Sequence, residues 1–300
     1  MKDKIFIVTG GRGFIGSHFV ELLLAHGHSV IDIDKMTYAA NTDLPFDKHP
    51  KYTLIKQDIK DITHLPNCDY IVNFAAESHV DNSIVNSFPF IESNIIGVHN
   101  LLELVRRKHE CDRPLFFQIS TDEVYGDILD GSFVEDDKLK PSNPYSAAKA
   151  AAEMLVMSYG RTYGIKYLIS RSTNNYGSRQ YFEKLIPKII DSIRSNRKVP
   201  IHGDGSYIRD WIHVTDNVNG IYKIIESNDI NNIYNISSSC LMSNIEVVNH
   251  IKERLNIVDD IVNFVPNRTG QDLRYSISSE KLRKLGWKPK FKQMNVNEIL

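Results

Sequence analysis

Short apolar runs alternate with amphipathic stretches over the first 170 residues of the chain. Each run has the length and residue types of a buried strand, and the amphipathic stretches carry apolar side chains at helical spacing. The predicted strands lie at 4–9, 30–33, 52–55, 70–74, 115–119 and 166–170. Three helices are predicted. The first follows a glycine turn at 10–16, the second runs from near Ser87 to Lys108, and the third runs from Tyr145 to about Tyr163. Strands that alternate with helices are typical of a parallel sheet with helices on both faces.

Beyond residue 170 this alternation ends, which indicates a second structural unit. The segment 201–210 is rich in turn residues. Beyond it, residues 233–236 predict a strand that returns to the first sheet. Residues 247–255 and 279–285 predict two short helices. We therefore predict an α/β fold, a Rossmann-type doubly wound parallel sheet with a smaller α/β substrate lobe. The predicted domains are 1–177 with 211–237 for the Rossmann part, and 178–210 with 238–300 for the lobe.

The composition argues against several classes of protein. The chain has 36 basic and 37 acidic residues and no basic patch, so we expect no nucleic-acid partner. No apolar run approaches the roughly 20 residues of a membrane span, so we expect no membrane anchor and no signal peptide. The three cysteines are far apart and no metal-binding histidine motif occurs. We therefore expect a reducing, cytoplasmic location and no metal site.

A glycine-rich turn, Gly10-Gly11-Arg12-Gly13-Phe14-Ile15-Gly16, lies between the first predicted strand and the first predicted helix. Glycines let the backbone approach a pyrophosphate, and the helix N-terminus adds N–H groups and partial positive charge. Asp34 follows the second strand, where a carboxylate accepts a hydrogen bond from the adenosine ribose and repels a 2′-phosphate. This favours NAD over NADP, and Lys35 weakens the preference slightly. Outside this strand–turn–helix context the glycines would predict only a tight turn.

Five residues are candidates for chemistry. Tyr145 and Lys149 lie four residues apart, so their side chains share one helical face. An ammonium beside a phenol favours the phenolate, so we expect a lowered Tyr145 pKa and a base for a sugar hydroxyl. Thr121, Asp122 and Glu123 follow a predicted buried strand, in the loop at its carboxyl end, where open α/β sheets bind ligands. Tyrosine and lysine also reach this spacing by chance, and one of the two carboxylates could equally cap a helix or loop.

With these residues, the chain resembles the extended short-chain dehydrogenase/reductase family and, within it, the nucleotide-sugar 4,6-dehydratases. The resemblance runs nearly end to end, and Thr-Asp-Glu before Val-Tyr-Gly at 121–126 is its sharpest part. The other matching segments are 9–17, 34–38, 74–81, 144–149, 174–177, 183–187, 203–211 and 285–287. Asn82, His202 and the segment 152–161 resemble the UDP-glucose branch more than the dTDP-glucose branch. Ser178-Arg179 and Gln271 depart from the usual pattern where substrate would bind.

The resemblance implies an NAD-dependent internal redox dehydration of an NDP-glucose to the 4-keto-6-deoxy sugar, for deoxysugar or rhamnose synthesis. UDP-glucose is the expected substrate and dTDP-glucose the alternative. Tyr145 takes the 4-hydroxyl proton while C4 gives hydride to NAD, with Thr121 at O4 and Lys149 at the nicotinamide ribose. The 4-ketone acidifies the C5 proton, which Glu123 removes while Asp122 protonates the departing 6-hydroxyl, and hydride then returns to C6.

The resemblance also implies the binding residues. The expected cofactor contacts are Gly10, Gly13, Phe14, Ile15, Gly16, Asp34, Lys35, Thr37, Asp58, Ile59, Ala75, Ala76, Ser78, Tyr145 and Lys149. The expected substrate contacts are Glu77, His79, Thr121, Asn174, Lys184, Leu185, His202, Arg209 and Arg268, of which Asn174, Lys184 and Arg209 would hold the pyrophosphate. Asp58 is equally explained as a solvated carboxylate and His79 as a structural histidine.

Three further alternatives stay open from the sequence. The long helices near 87–108 and 145–163 are expected to pair in a homodimer, or else to pack only on the sheet. A C4-epimerase would use the same tyrosine, lysine and NAD without needing Asp122 and Glu123. A non-catalytic NAD-binding scaffold would keep the fold, although such proteins generally lose the tyrosine or the lysine.

Overall fold

The computed structural model describes residues 1, 3–267, 269–297 and 299 as a central parallel sheet with a smaller lobe. The strands are Ile5–Thr9 (β1), Ser29–Asp34 (β2), Tyr52–Lys56 (β3), Tyr70–Asn73 (β4), Leu115–Thr121 (β5), Tyr167–Ser172 (β6), Asn174–Tyr176 (β7), Val199–His202 (β8), Ile208–His213 (β9), Asn232–Ile236 (β10), Leu241–Ser243 (β11) and Val262–Val265 (β12). The helices are Phe14–Ala25 (α1), Val80–Val85 (α2), Phe88–Ile91 (α3), Gly97–Arg106 (α4), Pro144–Tyr163 (α5), Leu185–Arg194 (α6), Val214–Ser227 (α7), Asn244–Arg254 (α8) and Glu280–Lys284 (α9). Within this described part of the chain, no helix combines the length and apolarity that crossing a membrane requires.

Seven parallel strands form the central sheet in the order β10-β6-β5-β4-β1-β2-β3. Helices cover both faces: Phe19 of α1 and Ile221 of α7 pack on one side, and Leu101 of α4 and Val156 of α5 pack on the other. The predicted Rossmann-type doubly wound fold is therefore confirmed. The chain order reverses between β1 and β4, and ligands of such sheets bind at the carboxyl ends of the strands at this reversal.

The predicted helix 87–108 is a helical run with an irregular centre. A π-turn at Glu92–Ile96 separates α3 from α4, and the run ends at Arg106. Asn94 in this turn holds the backbone of Glu77, because its Oδ1 accepts from Glu77 N at 2.9 Å and its Nδ2 donates to Glu77 O at 3.0 Å. Such turns are frequent at functional sites. Here the turn pins the segment that follows β4, which the apolar spacing alone could not predict.

The smaller lobe has its own apolar core. β7, β9 and β11 form one sheet and β8 pairs with β12, so the turn-rich segment 201–210 contains the end of one strand and the start of another. Ile189 of α6 and Val248 of α8 pack with Trp211 in this core. Leu282 and Trp287, which the predicted boundaries assign to the lobe, pack in the core of the central sheet. The exact domain division stays a prediction.

Candidate active site

One cavity lies where the carboxyl ends of the central strands meet the lobe. It is lined by the glycine turn, the ends of β2, β4 and β5, the start of α5, and residues between 172 and 184. All the predicted cofactor contacts line it: Gly10, Gly13, Phe14, Ile15, Gly16, Asp34, Lys35, Thr37, Asp58, Ile59, Ala75, Ala76, Ser78, Tyr145 and Lys149. The remaining predicted catalytic residues line it as well, namely Thr121, Asp122 and Glu123.

The glycine turn fits the close backbone approach of a pyrophosphate. Gly10 has a φ of +71°, and a Cβ there would lie 2.7 Å from Ala75 N. A Cβ on Gly16 would lie 2.2 Å from the carbonyl oxygen of Gly10. Gly13 directly precedes α1, so the unpaired N–H groups of the first helical turn lie at this end of the cavity. The turn therefore has the close packing and the donors that a dinucleotide requires.

Asp34 stands at the end of β2 beside this turn. Its Oδ1 accepts from Met36 N at 2.7 Å and its Oδ2 from Arg12 N at 3.0 Å, which fixes the carboxylate at the cavity wall. Burial raises the pKa of Asp34, and these two hydrogen bonds oppose that effect. A fixed carboxylate suits a ribose 2′-hydroxyl and opposes a 2′-phosphate.

Lys35, which weakened the predicted preference for NAD, is already engaged by other groups. Its Nζ donates to Glu77 Oε1 and to Ser93 Oγ, each at 3.1 Å, and lies 3.8 Å from Asp58. Two carboxylates thus neutralise the ammonium. The geometry of this corner therefore favours NAD over NADP more strongly than the sequence does.

Asp32 in β2 holds the glycine turn through a hydrogen bond, and the sequence did not predict this role. Its Oδ1 accepts from Gly11 N at 2.9 Å and its Oδ2 accepts from the Tyr52 hydroxyl at 2.8 Å. Burial raises the pKa of Asp32 to about 7, against the opposing hydrogen bond from Tyr52. The available signal was a charged residue inside an apolar strand, because such a group needs a buried partner.

The acidic pair lies on a helical turn and not in the predicted loop. β5 extends to Thr121, and a 3₁₀ turn follows at Asp122–Tyr125. Thr121 Oγ1 accepts from Glu123 N at 3.3 Å and donates to Asp122 Oδ1 at 3.2 Å. The strand end therefore sets the orientation of both acids.

Asp122 and Glu123 have different surroundings. Asp122 is 3% exposed, and burial, followed by the charges of Glu123 and Asp210, raises its pKa well above the ordinary value. Its Oδ2 has no hydrogen-bond partner among the described residues. Glu123 is half-buried, and Asn143 Nδ2 donates to its Oε2 at 3.5 Å. A protonated acid beside a more solvated carboxylate is an arrangement suited to paired acid and base chemistry.

The predicted lowering of the Tyr145 pKa is wrong for this structure. Lys149 Nζ donates to the carbonyl oxygen of Ile119 at 2.6 Å. Burial and then the charge of Glu123 raise the pKa of Tyr145, whereas a hydrogen bond with Thr121 lowers it. Burial also lowers the pKa of Lys149 to about 8. The four-residue spacing fixes the helical face of two side chains but not their rotamers, so a shared face did not imply contact.

The predicted substrate contacts form two groups. Those that line the cavity are Glu77, Thr121, Asn174 and Lys184, and those that do not are His79, Leu185, His202 and Arg209. Lys184 Nζ donates to Ser78 O at 2.9 Å. Arg268 lies outside the described residues. All of these roles stay predictions.

Arg209 is close to the acidic pair without lining the cavity. Its guanidinium donates to Asp272 O at 2.9 Å and lies 4.3 Å from the centroid of the Tyr275 ring. Its charge lowers the pKa of Asp122, although burial outweighs it. His202 is farther out, with Nδ1 2.9 Å from Pro266 O.

Sequence reasoning missed several further residues of the cavity wall, which are Ser93, Asn175, Gln180, Tyr181 and Glu183. The Tyr38 hydroxyl donates to Glu183 at 3.3 Å, and the rings of Tyr38 and Tyr181 lie 5.2 Å apart. Tyr181 and Glu183 lie between the β7 strand and α6, in a segment with no periodic pattern. Glu183 begins the matching segment 183–187, and the only signal for Tyr181 was its proximity to that segment.

Comparison with known proteins identifies the family. The model of the family described as GDP-mannose 4,6 dehydratase matches residues 7–298. This chain belongs to that family. The predicted kinship with nucleotide-sugar 4,6-dehydratases is thereby confirmed.

Proteins of known name have similar sequences over nearly the whole of this chain. The low-salt glycan biosynthesis protein Agl12 of Haloferax volcanii is 44% identical over 292 residues, covering 95% of this chain and 93% of that protein. A trifunctional UDP-glucose 4,6-dehydratase, 3,5-epimerase and reductase of Arabidopsis thaliana is 38% identical over 300 residues, covering 95% of this chain and 45% of that protein. The crystal structure of DesIV, the dTDP-glucose 4,6-dehydratase of Streptomyces venezuelae, with NAD bound, superposes with a TM-score of 0.91 at 38% identity, covering 96% of this chain and 92% of that one.

Proposed function

We propose that this chain catalyses the NAD-dependent 4,6-dehydration of an NDP-glucose to the NDP-4-keto-6-deoxyglucose. The observation that carries the proposal is the buried acid Asp122 beside Glu123, in one cavity with Tyr145 and the glycine turn. Family membership supports the same reaction. A C4-epimerase needs the tyrosine and the lysine but has no water to expel, and a binding scaffold needs none of these groups.

The first step oxidises the sugar. The glycine turn and Asp34 would hold NAD, which when bound accepts a hydride from C4 and returns it to C6. Tyr145 receives the proton of the 4-hydroxyl, and Thr121 hydrogen-bonds the same oxygen. Lys149 is a cation below its pKa of about 8, and it lies on the same helical face as Tyr145, where the nicotinamide ribose would bind.

The second step expels water. Glu123 removes the C5 proton, which the adjacent 4-ketone has made acidic. Burial raises the pKa of Asp122, which favours its protonated form, and that acid donates its proton to the departing 6-hydroxyl. Asp122 has released one proton to the water that leaves, and Glu123 holds the C5 proton. When hydride returns to C6, Glu123 gives this proton back to C5, and the proton that Tyr145 gained from the 4-hydroxyl balances the one that Asp122 lost.

The double variant Asp122→Asn, Glu123→Gln separates the dehydratase from the epimerase. We expect loss of water to slow by at least about a hundredfold, because an acid and a base are both removed. Reduced nicotinamide should still form, because Tyr145 and Lys149 are intact. The measurement is product mass together with the near-ultraviolet absorbance of the cofactor. Unchanged turnover of an NDP-glucose to its C4 epimer would instead establish the epimerase.

The nucleotide is the finer part of the proposal, and we place dTDP-glucose ahead of the expected UDP-glucose. DesIV and further bacterial relatives at 38–39% identity carry the name dTDP-glucose 4,6-dehydratase. The sequence features that favoured UDP, which are Asn82, His202 and the segment 152–161, do not line the cavity. UDP-glucose stays the second candidate because the Arabidopsis relative carries that activity in its name. Comparing kcat/KM for the two sugars decides between them.

We also propose a homodimer through the helices predicted for it. Large apolar side chains are exposed on these helices and just before them, with Phe88 60% exposed and Val85, at the end of α2, 88% exposed. Ile96 of the π-turn and Met154 of α5 are exposed as well. In the proposed dimer, a second copy of the protein covers these exposed side chains. The cytoplasmic location likewise stays a proposal.

A further inference from the structure

A continuous chain of hydrogen bonds crosses the centre of the sheet beneath the cavity. Ala75 N donates to Thr9 Oγ1 at 3.4 Å, and the Thr9 hydroxyl donates to Asn73 Oδ1. Asn73 Nδ2 donates to Gln118 Oε1 at 2.9 Å, and Gln118 Nε2 donates to the Ile119 carbonyl oxygen at 3.0 Å. These hydrogen bonds therefore link β1, β4 and β5, which are neighbours in the sheet.

These side chains are polar where the core is otherwise apolar. Thr9 and Asn73 are fully buried and Gln118 is 1% exposed. Their neighbours along the same strands, such as Val72 and Phe117, are buried apolar residues. Burying an amide is unfavourable unless its partners are present, so an apolar residue is the ordinary choice at such positions. Packing alone therefore does not account for polar side chains at these positions.

Both ends of this hydrogen-bond chain reach the cavity. Ala75 lines its wall at the end of β4, and Lys149 Nζ donates to the Ile119 carbonyl oxygen at 2.6 Å at the other end. Lys149 is 5% exposed, so its charge depends on buried acceptors. The donors all point in one direction, from Ala75 towards Ile119. Gln118 occupies one lone pair of the Ile119 oxygen and leaves the other for Lys149, which fixes where the ammonium lies.

We propose that Asn73 and Gln118 are positioning residues for Lys149. Their amides fix the position of the Ile119 carbonyl group, and this oxygen holds the Lys149 ammonium on the face that it shares with Tyr145. The inference rests on the proposed function, because Lys149 acts there in the oxidation of the 4-hydroxyl. Neither amide lines the cavity, so both act through Lys149 rather than on substrate or cofactor.

The test isolates the oxidation step. An NDP-6-deoxyglucose has no 6-hydroxyl to lose, so reduced nicotinamide accumulates on the enzyme and its near-ultraviolet absorbance gives the oxidation rate. Gln118→Leu and Asn73→Leu interrupt the hydrogen-bond chain. Gln118→Met interrupts it as well, with a side chain of similar volume to glutamine. We expect oxidation to slow by about tenfold to a hundredfold, because a small displacement of a catalytic group has effects of this size. The affinity for the nucleotide sugar, measured by calorimetry, should change by less than about twofold.

Rescue and additivity distinguish positioning from simple stabilisation. Gln118→His keeps one donor and one acceptor on its ring and should recover most of the oxidation rate. The double variant Asn73→Leu, Gln118→Leu should be no slower than Gln118→Leu alone, because both changes break one chain. Asn235→Leu is the matched control, since it removes a fully buried amide from β10, two strands away from β5. It should lower the melting temperature and leave the oxidation rate unchanged.

Two outcomes separate failure of this inference from failure of the proposed function. If Gln118→Met melts cooperatively and oxidises the sugar at the wild-type rate, the amide chain is only structural and the inference is wrong. If the wild-type protein forms no reduced nicotinamide with either nucleotide sugar, the proposed function itself is wrong. Gln118→Met also replaces Gln118→Leu as the deciding variant should the latter not fold.

Discussion

At the residue scale, two adjacent acids acquire different chemistry from their surroundings. The identities of Asp122 and Glu123, and their place after a buried strand, were predictable because strand ends carry ligand-binding residues in parallel sheets. Their difference was not, because it depends on burial of Asp122 and on the charge of Asp210, which is distant in sequence. The rotamer of Lys149 was unpredictable for the same reason, since its partner is the backbone of another element.

Asp32 carries a prediction about stability and pH. Burial raises its folded-state pKa from 3.8 to about 7, so between these values the folded protein holds a proton that the unfolded chain has released. The free energy of unfolding therefore falls as pH rises through this window, and the destabilisation is fully present above about pH 7. Asp32→Asn keeps an acceptor for Gly11 N without titrating. We expect this variant to flatten the pH dependence, measured by urea unfolding on both sides of the window.

The control for Asp32 is an exposed carboxylate. Asp61→Asn changes the same functional group on the surface and should leave the slope of stability against pH as it is in the wild type. A slope for Asp32→Asn that equals the wild-type slope would show that the buried carboxyl does not titrate in this window.

At the element scale, strands and helices were predictable where the apolar period is regular. The core of every predicted strand appears in the sheet, because β-branched and aromatic runs of this length have few other ways to be buried. The ends were less predictable. β5 gains two residues and a 3₁₀ turn, and the helix at 88–106 contains a π-turn, because hydrogen bonds of Thr121 and Asn94 with nearby backbone groups decide these details.

The start of α5 carries the prediction at this scale. Asn143 caps the helix, with Oδ1 accepting from Ser146 N at 2.9 Å, and its Nδ2 also reaches Glu123. Asn143→Ala should reduce the free energy of unfolding by about 1 kcal/mol, because the cap is lost. Asn143→Ser keeps a capping oxygen and should stay within about 0.5 kcal/mol of the wild type. Urea unfolding measures both, and equal stability of the two variants would refute the capping role.

At the scale of the whole molecule, the chain order of strands and the glycine turn made the Rossmann-type fold predictable, because few topologies accommodate strand–helix alternation. The nucleotide base was not predictable in this way. Its prediction rested on Asn82, His202 and the segment 152–161, and the folded chain places none of them at the cavity wall. The packing of Trp287 into the central core was also hidden, since contacts between distant segments leave no local pattern.

The exposed apolar surface on α2 and α3 carries the prediction about assembly. Val85→Glu with Phe88→Glu places two charges on this surface, so we expect the proposed dimer to dissociate into monomers in light-scattering chromatography. Val258→Glu is the matched control, because Val258 is 93% exposed and belongs to the lobe. It should leave the assembly unchanged. A wild-type chain that is monomeric at micromolar concentration would contradict the proposed interface.

The central claim is that one hydride leaves C4 of the sugar and returns to C6 within a single turnover. The most direct measurement supplies NDP-glucose deuterated at C4 and locates the label in the product by NMR and mass spectrometry. We expect a 4-keto-6-deoxy product with deuterium at C6. A product that retains its 6-hydroxyl, or a 4-keto-6-deoxy product whose deuterium has been lost to solvent, would contradict it.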